Sequence, residues 1–104
     1  MTSHKDLQVY KESLLLVKDI YLLVALFPKD ELFGLTSQMK RCAISIPSNI
    51  AEGAGRKGSA EFMRFLYISL GSLSELETQL DIAVMLNFCD KNGEMTQRIF
   101  YIKN

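Results

Sequence analysis

Apolar residues recur along the chain at every third or fourth position, which is the spacing of one face of an α-helix. This pattern predicts four helices, over residues 4–27, 36–53, 59–86 and 94–104. Strict alternation of apolar and polar residues, which is typical of a strand, is not found. Because short connections join the long helices, residues 1–104 are predicted to form a single all-α domain. Its predicted architecture is an up-and-down antiparallel four-helix bundle with a shortened fourth helix.

The first predicted helix has two apolar stripes instead of one. One stripe comprises Leu7, Tyr10, Leu14, Val17, Tyr21 and Val24, and the other comprises Val9, Leu16, Ile20, Leu23 and Phe27. A helix on the surface of a monomeric bundle needs only one buried stripe. The second stripe is therefore predicted to contact a neighbouring subunit. The alternative is a first helix that is buried deep within its own bundle.

Proline and glycine divide the middle of the chain. Pro47 lies inside the second predicted helix and removes one backbone hydrogen bond, which predicts a kink or break at residues 43–47. Residues 53–58 spell G-x-G-x-x-G, but they follow a helix and not a strand, so they predict a chain reversal and no dinucleotide site. Ser59 is predicted to cap the third helix. A phosphate could bind at that helix start beside Arg56 and Lys57.

Charge is balanced overall but unevenly distributed. The chain has 12 Lys and Arg residues against 12 Asp and Glu residues. Residues 40–64 carry five basic and two acidic side chains, whereas residues 65–94 carry one basic and five acidic side chains. If helices two and three are antiparallel, residues whose numbers add to roughly 113 lie level. This register predicts two interhelix ion pairs and one interhelix polar contact: Arg41 with Glu75, Arg64 with Glu52, and Asn49 in a polar seam between the helices.

Catalytic chemistry has little support in the composition. The single histidine, His4, lies near the N-terminus, so a His-based triad has no plausible geometry. The Glu-x-x-His pattern of di-iron bundles is missing, which predicts no metal and no cofactor. Cys42 and Cys89 form no C-x-x-C pair and are predicted to be reduced, as in a cytoplasmic protein. Residues 13–27 are too short and too charged to span a membrane. These features predict a cytoplasmic protein that is not an enzyme.

Specific strings in the sequence resemble a known family. They are GLTSQMKR at residues 34–41, SIPSNIAEG at 45–53, EFMRFLYI at 61–68 and GSLSELETQL at 71–80. Together they look like the four-helix-bundle proteins encoded within intervening sequences of bacterial large-subunit ribosomal RNA genes. That family is similar to the accessory protein of diversity-generating retroelements, a basic pentameric bundle that binds nucleic acid and a reverse transcriptase. The resemblance therefore implies a homopentamer with a nucleic-acid partner.

The chain departs from the family pattern in two ways: Tyr10 stands where members usually carry Trp, and the fourth helix is shorter than usual. The net charge of zero provides no overall attraction to nucleic acid. Two hypotheses about function follow. In the first, an oligomeric bundle contacts RNA or DNA through Lys40, Arg56 and Lys57, together with Arg41 and Arg64. In the second, the protein is a protein-interaction or structural ring subunit that binds a protein partner and no nucleic acid.

Overall fold

Four α-helices form the fold in a computed structural model that describes residues 3–91 and 93–103. They are α1 (Gln8–Val24), α2 (Leu35–Ala54), α3 (Ser59–Met85) and α4 (Gly93–Lys103). Short 3-10 turns at His4–Asp6 and Lys29–Glu31 precede α1 and α2, and no strand occurs in the described ranges. α2 packs against α1 and α3, and α4 packs against α1 and α3. The predicted all-α bundle with a shortened fourth helix is confirmed.

The first helix begins later and ends earlier than its hydrophobic pattern predicts. Ser3 caps the 3-10 turn, because its Oγ accepts a hydrogen bond from the Lys5 N–H at 3.2 Å. Leu7 is extended, and α1 starts only after it. At the other end the chain tightens into a turn before Pro28, which has no N–H to continue a helix.

The buried face of α1 corrects the predicted subunit interface. Leu16, Ile20 and Phe27 are buried within the monomer, and Val9 and Leu23 are half-buried against the same core. The prediction that this stripe meets another subunit is therefore wrong for the three buried residues. The physical reason is that α2 and α4 flank α1 on either side and cover this stripe together. Two members of the stripe assigned to the core, Leu14 and Tyr21, are instead exposed.

α2 continues through Pro47 without the predicted break. Polar side chains in this part of α2 hydrogen-bond to carbonyls of the preceding turn, which keeps their contacts within the helix. Ser48 Oγ donates to the Ile44 carbonyl at 2.8 Å. Asn49 Nδ2 donates to the Ser45 carbonyl at 2.8 Å, so its predicted role between helices is wrong.

α2 and α3 are antiparallel in nearly the predicted register. Ser69 Oγ donates to the Ile46 carbonyl at 3.0 Å, and Cys42 Sγ donates to the Ser72 carbonyl at 2.9 Å. These pairs have residue numbers that add to 115 and 114, close to the predicted value. The register brings the α2–α3 turn to one end of the bundle.

α4 completes only part of the fourth side of the bundle. Met95, Ile99 and Ile102 are its buried residues, as the sequence pattern predicts. With 11 residues against 27 in α3, it is about 16 Å long, whereas α3 is about 40 Å long. No described helix combines the length and the apolar character needed to cross a membrane.

Candidate nucleic-acid interface

The turn between α2 and α3 is shaped by its glycines. At Gly58 the backbone has φ of 93°, a conformation that favours glycine. A Cβ atom at Gly53 would lie 2.6 Å from Cβ of Phe65, so only glycine lets the two helices approach this closely. Gly58 is also the residue that precedes the first turn of α3, and it provides no side-chain cap, so the predicted cap at Ser59 is wrong. The G-x-G-x-x-G string therefore serves a tight interhelical turn.

Three of the predicted cationic residues lie together at this turn. Arg56 pairs with Glu52 at 2.6 Å, and Arg64 pairs with Glu61 at 3.4 Å. Both guanidinium groups also lie over the ring of Phe65, at 5.3 Å and 4.5 Å from its centroid. These contacts hold both arginines close to one aromatic ring.

Lys57 lies at the tip of the same turn and is exposed. It takes part in no ion pair within residues 3–91 and 93–103. The neighbouring N-terminus of α3 adds the partial positive charge of a helix start, which favours an anion nearby. The Glu61 carboxylate lies in that first turn and offsets part of this charge.

The other two predicted cations lie elsewhere. Lys40 is half-buried, with its Nζ 4.9 Å from the centroid of the Tyr21 ring on α1. Arg41 is exposed beside a polar groove between α2 and α3. Lys40 lies 14 residues before the end of α2 at Ala54, so about 21 Å of helix separates it from the turn that carries Arg56. The five predicted cations therefore do not form one patch: three lie at the α2–α3 turn, and the other two lie farther along α2 on different sides of it.

The predicted interhelix ion pairs are not formed. Arg64 pairs with Glu61 on its own helix, and Glu52 pairs with Arg56, so the predicted Arg64–Glu52 pair is wrong. No ion pair within 4 Å joins Arg41 to Glu75 in the described part of the chain. A side chain loses less conformational freedom when it pairs with a residue one turn away on its own helix than when it reaches across a groove to another helix.

Glu75 instead has neighbours on both helices. It accepts a hydrogen bond from Gln79 Nε2 at 3.1 Å. It also lies beside Cys42, and burial, together with the Glu75 charge, raises the pKa of the Cys42 thiol to about 12. The thiol of Cys42 therefore stays protonated near neutral pH, and it is a poor nucleophile and a poor metal ligand.

One ion-pair cluster was not anticipated from the sequence. Arg98 on α4 donates from Nη1 to Glu12 at 2.7 Å and from Nε to Asp19 at 2.9 Å, which joins α4 to α1. Glu12 and Asp19 are seven residues apart, two helical turns, and so lie on one face of α1. That spacing, with a single arginine in the fourth helix, is a signal from which the cluster could have been predicted.

The described residues show no metal centre, since no three His, Cys, Asp or Glu side chains lie close enough to hold an ion. Their fold and the basic turn define a small helical-bundle protein whose clustered cations lie at one end. The chain belongs to the 23S rRNA-intervening sequence protein family, whose model matches residues 5–100. Comparison with curated proteins finds no match to the chain.

Proposed function

We propose that this protein is an oligomeric, non-catalytic binding protein whose α2–α3 turn contacts the phosphate backbone of a nucleic acid. The observation that carries the proposal is the grouping of Arg56, Lys57 and Arg64 at one turn. The name of the family refers to an intervening sequence of 23S rRNA, and RNA is therefore tested beside DNA.

Each cation has a distinct part in the proposed contact. Lys57 provides an exposed ammonium group, and phosphate can pair with it directly. Arg56 and Arg64 present planar guanidinium groups that stacking on Phe65 holds in place. Their present ion pairs are at the surface, where such pairs contribute only about 0–1 kcal/mol, so a phosphate can replace a carboxylate at small cost.

The salt dependence of binding tests the proposal. Labelled RNA and DNA of the same sequence are titrated with the purified protein at several salt concentrations, and fluorescence anisotropy reports the affinity. If two or three phosphates are neutralised, log K should fall against log salt concentration with a slope of about −1.4 to −2.7, depending on whether the strand is single or paired. Binding should weaken about tenfold or more in the Arg56→Ala, Lys57→Ala double variant.

A matched control separates this site from general charge effects. The Lys29→Ala, Lys91→Ala double variant makes the same change in net charge at two exposed lysines away from the turn. We expect its affinity to match the wild type within about twofold. Undetectable binding at low salt, or equal losses in both double variants, would refute the nucleic-acid contact.

A second candidate is a ring or structural subunit that binds no nucleic acid. It is favoured by the unusual exposure of large apolar side chains, of which Phe33, Leu26 and Met85 are the most exposed. Surfaces of this kind mark protein contacts, and they support self-association under both candidates. The purified protein's ratio of nucleic-acid to protein absorbance distinguishes the two, and a monomeric solution mass would refute the oligomer in both.

A further inference from the structure

A polar groove with a volume of about 400 Å³ lies between α2 and α3. This volume is within the range of about 300–1,000 Å³ that is usual for ligand pockets in proteins. Arg41 of α2 and Glu75 of α3 line the groove, together with the buried Cys42. The remaining lining residues are Gln38, Ser45 and Ser72. Every residue that lines the groove therefore has a side chain able to form hydrogen bonds.

The Glu75 carboxylate is held in place from within α3. It accepts a hydrogen bond at 3.1 Å from Nε2 of Gln79, which lies one helical turn further along. Gln79 is only 6% exposed, so the packing around it fixes the position of its amide. A carboxylate has about four lone-pair sites, and this bond leaves the others free to accept from a ligand. Glu75 is therefore an oriented acceptor at the edge of the groove.

Arg41 lines the same groove without pairing with this acceptor. Its guanidinium group forms no ion pair with a side chain of residues 3–91 or 93–103. A guanidinium group offers only donors and a carboxylate offers only acceptors, so a ligand that satisfies both must carry acceptors and donors. A phosphate group has no donor, and the negative charge of Glu75 repels it. The groove is therefore not a second phosphate site.

The groove lies on the same face of the α2–α3 pair as the basic turn. Arg41 precedes Glu52, the ion-pair partner of Arg56, by eleven residues in α2. Glu75 follows Arg64 by eleven residues in α3. Eleven residues make about three helical turns, so each pair lies on one side of its helix and about 16 Å apart. A strand held at the turn reaches the groove after about five stacked nucleotides, at about 3.4 Å each.

We infer that the groove binds an unpaired guanine base of the nucleic acid, with Glu75 and Arg41 as the residues that select it. The inference rests on the function proposed above. Guanine carries two neighbouring donors, the N1–H and the N2 amino group, and one carboxylate can accept from both. Its O6 and N7 atoms are acceptors that an arginine fork binds. None of the other three bases has a ring N–H beside an amino group, and base pairing would occupy both donors of guanine.

Single-base changes in an unstructured strand test the preference. A labelled oligouridine of about ten nucleotides is compared with the same strand carrying one central guanosine, adenosine or inosine, and fluorescence anisotropy reports the affinity. The guanosine strand should bind about tenfold more tightly than oligouridine, whereas the adenosine strand should stay within about twofold of it. Inosine lacks the N2 amino group and should lose most of the preference. The preference should be equal at every salt concentration, because base contacts release no counterions.

Matched substitutions assign the preference to the groove. Glu75→Gln replaces one carboxylate oxygen with a donor and should reduce the preference for guanosine to about twofold or less. Glu77→Gln makes the same change in charge outside the groove and should retain the preference. Arg41→Met should also abolish it. The control for Arg41→Met is Lys40→Met, which removes a neighbouring charge on the α1 side of α2 and should retain the preference.

The outcomes distinguish this inference from the phosphate contact. Failure of every strand to bind at low salt would refute the proposed function and this inference together. Equal affinity for the guanosine and uridine strands, or for the guanosine and adenosine strands, would refute the guanine site alone. A preference that Glu75→Gln retains, or that Glu77→Gln also abolishes, would do the same. Circular dichroism confirms the helicity of every variant, and if Glu75→Gln unfolds, Arg41→Met and the inosine strand decide the question.

Discussion

Arg98 joins the shortened fourth helix to α1, and its replacement by Met tests how strongly that cluster stabilises the bundle. The side chain is only 16% exposed and donates to Glu12 at 2.7 Å and to Asp19 at 2.9 Å. In Arg98→Met the two carboxylates, 23% and 27% exposed, lose their shared cation. Removing one partner of a fully buried pair costs about 3–5 kcal/mol. Because these carboxylates keep partial access to water, we expect a loss of about 2–3 kcal/mol.

Urea unfolding followed by circular dichroism measures this loss. A change of that size should lower the urea midpoint by about 1–2 M, at a fixed protein concentration so that any association contributes equally. The matched control is Arg64→Met, since Arg64 is 57% exposed and pairs at 3.4 Å, and it should cost about 1 kcal/mol or less. Equal shifts in the two variants would refute the reasoning. A variant that also carries Glu12→Gln and Asp19→Asn should be more stable than Arg98→Met alone, because no unpaired charge remains.

Three further predictions concern the core. Gly53→Ala places a Cβ atom 2.6 Å from a side chain of α3 and should lower stability by about 1–3 kcal/mol in thermal unfolding, despite the better helix propensity of Ala. Gly71→Ala, where a Cβ atom meets nothing within 4 Å, should instead stabilise by about 0.5–1 kcal/mol. Leu16→Ala should cost about 2–5 kcal/mol and Leu15→Ala less than about 1 kcal/mol, which tests the corrected buried face of α1. Because the pKa of Cys42 is raised from 9.0 to about 12, stability above pH 9 should fall more steeply in the wild type than in Cys42→Ala, by about 1.4 kcal/mol per pH unit; the variant retains the decrease due to Cys89, whose pKa is also raised.

The sign of the alkaline effect follows from which state holds the proton. Below pH 9 the Cys42 thiol is protonated in both the folded and the unfolded chain. The thiol therefore adds no pH dependence to the free energy of unfolding in that range. Above pH 9 the unfolded chain loses the proton while the folded protein retains it, and stability falls. The same slope in the wild type and in Cys42→Ala would contradict this prediction. Equal changes in stability for Gly53→Ala and Gly71→Ala would contradict the glycine prediction. Equal losses for Leu16→Ala and Leu15→Ala would contradict the leucine prediction.

Local chemistry was enough to predict the helices and the turn that carries the candidate site. The spacing of apolar residues is a property of each segment alone, and it indicated all four helices, including the buried face of the short α4. Glycine at position 58 permits the positive φ that reverses the chain. Once that turn is placed, the antiparallel register of α2 and α3 follows, and the sequence placed it within two residues.

The ionic partners at the site were less predictable. Glu61 and Glu52 are both within reach of Arg64 in a register argument, and the structure selects Glu61. The energy difference between such surface pairs is only about 0–1 kcal/mol, so small differences in side-chain ordering decide between them. The five predicted cations could be named from the sequence, whereas the separation of Lys40 and Arg41 from the other three became evident only from the positions of the helices in space.

The sequence by itself determined that this protein is a helical bundle with two apolar stripes on its first helix. Only the tertiary structure decided which residues of the two stripes are buried: Leu14 and Tyr21 are exposed, whereas the other residues of both stripes are buried or half-buried. The two stripes are similarly apolar, and a helix buries the side that its neighbours cover. Leu16 and Ile20 are buried because α2 and α4 flank them, and Arg98 fixes α4 there through Glu12 and Asp19. That choice depends on contacts 79 and 86 residues apart along the chain, which the spacing of residues within one helix does not encode.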